Sequence, residues 1–273
     1  MIQALSRGVY YAALMLLFGD AAFGALLRTK LPVIMPLRHW WLRWTALLMA
    51  LLAGCLWLGL AAAQMADTLN AQVLMATLTS TLFGQLFLVR LVALIVMALL
   101  LFWRRAKWMV LPAGIALALP AATSHAALAS PAGFTAIGTL LDATHLLTAG
   151  FWIGGLVVLV ALFRRKEPNL LLALSLFSDW AMIAVLLLVM TGLINAAQVL
   201  LGGKGAPSTL YLAVLGAKLA LVAGMLWLAA SNRFKWMPKG EENAIGRNAA
   251  RELAIGIIVV LLAGALGQLQ PLL

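Results

Sequence analysis

The segment Leu141 to Gly155, LDATHLLTAGFWIGG, sets a carboxylate, Asp142, and an imidazole, His145, into an otherwise apolar run. Ionisable groups in such surroundings are costly and generally carry a pairing or functional role. Three residues apart on a helix, the two side chains share a face and are able to share a proton or a ligand. Ala149 and Trp152 continue that stripe. His145 is one of 3 histidines in the chain, and another, His125, stands upstream in a second apolar stretch. Two imidazoles and a carboxylate make a donor set suited to Cu(II) or Zn, and an added thioether would move the preference toward Cu(I). The same residue types also form clusters that only fix helix register, and composition and spacing alone favour that reading over a metal site.

Positioning these groups requires helices in a bilayer. Hydrophobic residues make up 65% of the chain and charged residues 10%, and the mean hydropathy is +1.06, a balance that belongs to integral membrane proteins. The apolar runs are continuous rather than alternating, so helices and not an outer-membrane barrel are predicted. Eight spans are expected, at residues 8–27, 45–64, 84–103, 108–129, 137–163, 171–200, 209–230 and 252–270, each near the ~20 residues that a bilayer demands. The predicted architecture is an all-α polytopic membrane helix bundle. No hydrophilic stretch is long enough for a soluble domain, so residues 1–273 read as a single transmembrane domain, and the first span reads as a retained helix rather than a signal peptide.

The net charge of +11 does not point to nucleic acid, because the basic residues sort by loop. Arg28, Lys30, Arg38 and Arg43 share one connection; Arg104, Arg105 and Lys107 the next but one; then come Arg164, Arg165 and Lys166, and finally Arg233, Lys235, Lys239, Arg247 and Arg251. The opposite side holds Arg7 and Lys204. By the positive-inside rule the basic loops are cytoplasmic and both termini periplasmic, and contact with anionic headgroups accounts for the basicity. The fourth and fifth spans are then antiparallel neighbours joined outside. At 1.5 Å per residue, His125 falls roughly 6 Å and His145 roughly 12 Å below the outer surface, with Asp142 between them in height.

Other polar residues at membrane depth are Asp20, Arg90, Asp179 and Lys218. Lys218 and Asp179 read as a buried ion pair, Arg90 as a side chain snorkelling to the outer surface, and Asp20 and Asp179 as conceivable proton sites. Gly150 and Gly154 form a G-x-x-x-G pattern that admits a close helix neighbour. The lone Cys55 reads as a packed, buried thiol. The long outward connection Gln64 to Gln85 carries Met65 and Met75, thioethers that suit Cu(I), but in a chain with 12 methionines lipid-facing or packing roles are the favoured reading. The loop LGGKGAPST, Leu201 to Thr209, lacks the G-x-x-x-x-G-K-[ST] spacing of a phosphate-binding loop. No nucleotide fingerprint or Ser/His/Asp set is present, so the chain does not read as an enzyme.

Across nearly the whole chain the motifs resemble the copper-resistance protein D (CopD) family of bacterial inner-membrane proteins. SHA at Ser124 to Ala126 resembles that family's GHA; DATHLLTAGFWIGGL resembles its D-x-x-H-L…W-x-G-G-L core; and TLFGQLFLVRL at Thr81 to Leu91 resembles T-x-F-G-x-x-x-x-R. LFSDWAMIAVLLLVMTGLINA, GAKLALV and SNRFKWMP follow its FS, TG, K-L and NR-x-x-x-P landmarks, with a family-typical core at approximately residues 120–273. The resemblance implies copper transport or homeostasis at the inner membrane, a metal site at His125, Asp142 and His145, copper as Cu(I) or Cu(II), and a periplasmic CopC-like chaperone as partner. Two departures stand out: Tyr10 occupies a place where many relatives carry histidine, and Asp179 follows FS where a basic residue is common. Two other functions remain open on the residues alone, a haem-binding electron carrier with His125 and His145 as axial ligands, and an assembly partner of a copper-handling system.

Overall fold

A computed structural model describes residues 1–30, 40–124, 135–201 and 206–271. These residues form α1 (Ile2–Lys30), α2 (Trp40–Ala66), α3 (Ala71–Ser80), α4 (Leu82–Phe102), α5 (Val110–Ala118), α6 (Thr135–Arg164), α7 (Leu170–Leu201), α8 (Thr209–Ser231) and α9 (Glu242–Leu266), with no strand among them. Eight helical stretches are long and apolar enough to cross a bilayer, as the hydropathy pattern predicts.

Two of the helices are central. In α1 and α6, 61% of the most apolar window is buried, against 11% for α8, which marks α8 as a peripheral, largely lipid-facing helix. Helix α1 packs on α6, α2, α9 and α5, and α6 also packs on α7 and α9. Small residues make the α1–α6 crossing possible. The backbone of Gly19 lies directly against Gly150 and Gly154, where any Cβ would run into backbone atoms; this is the approach that the G-x-x-x-G pattern predicts. Large side chains fill the space around it, with Phe177 edge-on to Phe23 at 5.1 Å and stacked on Phe151 at 5.9 Å between ring centroids.

Three differences from the hydropathy reading have clear causes. The connection Gln64 to Gln85 holds a short helix, α3, capped by Asn70 accepting from Val73 N at 2.8 Å. Thr81 then caps α4 by accepting from Gly84 N while donating to Thr77 O, which closes a tight corner. Helix α9 starts at Glu242 rather than at 252, because its first turns carry the exposed Arg247 and Arg251, which a search for apolar runs passes over. The fourth span is also composite. Pro112 lies in α5 and Pro120 opens a 3₁₀ turn, Leu119–Thr123, since proline lacks the N–H that a continuing helix needs.

Candidate metal site

Two of the three expected residues, Asp142 and His145, lie along the α6–α7 seam. His145 Nδ1 lies 3.2 Å from Leu188 O and 3.2 Å from Thr191 Oγ1. A carbonyl only accepts, so Nδ1 carries the proton and Nε2 keeps its lone pair. Thr191 Oγ1 in turn donates to Leu187 O at 2.6 Å, which turns its lone pairs toward the imidazole. The next residue, Gly192, makes the room: a Cβ there would stand 3.0 Å from His145 Cε1. One turn further along α7, Asn195 Nδ2 donates to Asp142 Oδ1 at 3.1 Å. Thus Asp142 and His145 on α6 are matched by Asn195, Thr191 and Gly192 on α7, both sets at helical spacing.

Other groups converge on the same end of the bundle. Ser124, from the close of the fourth span, hydrogen-bonds the Asp142 carboxylate, and Arg7 on α1 and Lys218 on α8 act on it electrostatically. Lys218 also acts on His145. Asn195 Oδ1 and Gln198 Oε1 are buried acceptors with no hydrogen-bond partner among the described residues. Unmatched acceptors near a carboxylate and an imidazole whose Nε2 keeps its lone pair fit a cation. His125 lies outside the described residues, directly after Ser124. Among the described residues no three His, Cys, Asp or Glu side chains gather as a ready metal set.

Several expected roles are corrected. Arg90 does not snorkel: it is fully buried, boxed by the rings of Trp57, Phe83 and Phe87 at 5.3, 5.5 and 5.4 Å, and donates to Leu86 O at 3.2 Å. Aromatic faces replace the water it would have sought. Lys218 and Asp179 are not a pair. Asp179 is exposed and meets Arg233 at 3.0 Å, while Lys218 faces the Asp142 cluster. Asp20 is held by Arg43, whose Nε donates to Oδ2 at 2.6 Å. Cys55 is exposed, on the outer face of α2 rather than in the core. Met65 and Met75 are likewise exposed.

Sequence reading passed over four residues that matter here. Thr191, Gly192 and Asn195 all lie within the LFSDWAMIAVLLLVMTGLINA landmark, which by itself assigns them no role. Glu252 was missed altogether because it sits where α9 leaves its basic first turns. It is 2% exposed and accepts from Trp152 Nε1 at 2.8 Å. The available signal was the stripe on α6 that ends in Trp152.

Two family models match the chain: residues 1–134 match "Copper resistance protein D-like, N-terminal domain" and residues 171–266 match "Copper resistance protein D". The chain belongs to the copper resistance protein D family. The copper resistance protein D match over 171–266 contains Thr191, Gly192, Asn195, Lys218 and Glu252, and the N-terminal match contains Ser124 and Arg90. Asp142 and His145 lie between the two. A curated relative, the "Copper transport protein CutJ" of Bacillus subtilis (strain 168), is 33% identical over 146 residues, which is 52% of this chain and 26% of that protein. The chain therefore spans about a quarter of that relative's length. No solved structure matches the chain.

Proposed function

We propose that this multi-pass membrane protein is a copper transport and homeostasis protein of the bacterial inner membrane. It works as a single membrane domain, with both termini and the Asp142–His145 end facing the periplasm. Copper, in either oxidation state, is the cargo, accepted at His145 Nε2 and the Asp142 carboxylate with His125 as the third donor, and a CopC-like periplasmic protein is the proposed source. The observation that carries this reading is the His145 seat: Nδ1 is held by Leu188 O and Thr191 Oγ1, which orients the ring and presents the other nitrogen, as second-shell partners do for metal-ligating histidines. Family membership and the name of the curated relative support copper as the metal.

The test is copper binding by the purified protein. Wild type is expected to bind copper, with the affinity falling at least tenfold, the scale that even outer-shell losses reach, in His145→Ala and in Asp142→Asn; unchanged binding in both sinks the site. A Soret band in the purified protein would replace copper by haem. Cellular copper measured with and without the protein, at fixed external copper, gives the direction of movement.

A further inference from the structure

Below the metal seam, the stripe Asp142, His145, Ala149 and Trp152 continues to a second polar point. Glu252 on α9 is 2% exposed, and its Oε1 takes the Trp152 indole N–H at 2.8 Å. No other hydrogen bond to this carboxylate is found among the described residues. Glu252 borders a cavity of about 170 Å³ whose walls are mostly apolar, among them Leu156, Phe177 and Leu226, and whose polar lining is Ser178, Asn232, Arg233 and Glu252 itself. The cavity lies toward the basic ends of α6 and α9.

The charged groups around Glu252 are accounted for. Arg233, from the π turn Asn232–Trp236 that follows α8, spends Nη1 on Ser178 Oγ at 2.7 Å and on Asp179 Oδ1 at 3.0 Å. Asn232 is bonded to Asn248 at 3.1 Å. On α9 itself, Arg247 and Arg251 are exposed, whereas Glu252 is buried. From α6 the group that meets it is Trp152, which has no charge. The acid of α1, Asp20, is engaged by Arg43. Among the described residues, burial and the Trp152 bond are the influences on Glu252.

A lone carboxylate in that position is tolerated when it carries a proton or when a cation enters the cavity beside it. The neutral acid still accepts the Trp152 N–H through its carbonyl oxygen, so the hydrogen bond survives protonation. We propose that Glu252 is a proton-exchange site, taking up and releasing one proton through the inner cavity, with water as donor and acceptor at the Ser178, Asn232 and Arg233 end. Resting on the copper reading above, this proton is given up in exchange for a cation moving down the α6 stripe, the carboxylate left behind balancing the cation's charge.

The experiment is an infrared pH titration of the full chain in lipid nanodiscs, comparing wild type with Glu252→Gln and Glu252→Asp. The wild-type-minus-Gln difference is expected to contain one protonated-carboxyl C=O band at neutral pH that is lost at alkaline pH, and Glu252→Asp is expected to restore a band at a shifted frequency. A difference spectrum with only ionised-carboxylate bands at neutral pH, or with no pH dependence, overturns the proposal. If Glu252→Gln fails to fold, Trp152→Phe keeps the acid and removes its donor: the band must shift in frequency, and an unmoved band overturns the proposal. Copper binding is measured on the same samples. Its absence in wild type defeats the copper reading and leaves the Glu252 titration standing, whereas a missing band with intact copper binding defeats Glu252 alone.

Discussion

At the scale of single residues, the site depends on which nitrogen of His145 is free. Leu188 O and Thr191 Oγ1 share the Nδ1 proton at 3.2 Å each, and the absent Cβ of Gly192 lets the ring lie against α7. Thr191→Val keeps the shape and the Leu188 carbonyl while removing one acceptor, and is expected to weaken copper binding about tenfold without a change in thermal stability. Gly192→Ala presses a methyl group onto Cε1 and must push the imidazole off its seat, with a larger loss of affinity. Competition titration of purified variants checks both, and wild-type affinity in the pair means that the seat does not orient a ligand. Neither effect is visible from His145 alone, because both come from the facing helix.

At the scale of elements, the α1–α6 crossing sets the position of the stripe. Gly19, Gly150 and Gly154 bring the two backbones into contact, so Gly154→Leu, which has no space to occupy, is expected to destabilise the bundle by at least the about 1–3 kcal/mol typical of overpacking, read as a lower midpoint of thermal unfolding in detergent. The α1–α2 pair has its own lock in Asp20 and Arg43. Asp20 is 4% exposed, so Arg43→Ala removes the cation bonded to a buried carboxylate and is expected to lower stability, while Asp20→Asn combined with Arg43→Gln recovers much of the loss. Equal stability of the single and double variants would show that the pair contributes nothing beyond packing.

At the scale of the whole molecule, the distribution of charge is what the proposed orientation of the bundle rests on. The helix ends carrying Arg104, Arg105, Arg164, Arg165, Arg233 and Lys235 share one side, and the Asp142–His145 seam lies toward the other. In a Cys55→Ala background, Thr68→Cys is expected to react with a membrane-impermeant maleimide in intact spheroplasts, and Lys239→Cys only after permeabilisation. The reverse pattern would turn the site toward the cytoplasm and end its role as a periplasmic acceptor. The same experiment asks whether Glu252 and its cavity open on the inner side, as proton exchange through that cavity requires.

Helices were legible in the sequence because burial in lipid leaves little choice: a long apolar run must satisfy its own backbone hydrogen bonds, and a helix does so within one segment. The spacing of Asp142, His145 and Trp152 on one face followed from the same 3.6-residue period, and the glycines of α6 announced a close neighbour. What the chain alone left undecided was the partner of each polar group. Lys218 and Asp179 looked equally suited to pair, and Arg90 had an obvious route to water, yet the packing gave Asp179 to Arg233, Lys218 to the Asp142 cluster and Arg90 to three aromatic rings. Thr191, Asn195 and Glu252 acquired roles only when helices far apart in sequence met. Helix formation is local, so a single segment encodes it; the partner of a buried charge depends on the rotation and depth of neighbouring helices, which only the assembled bundle determines.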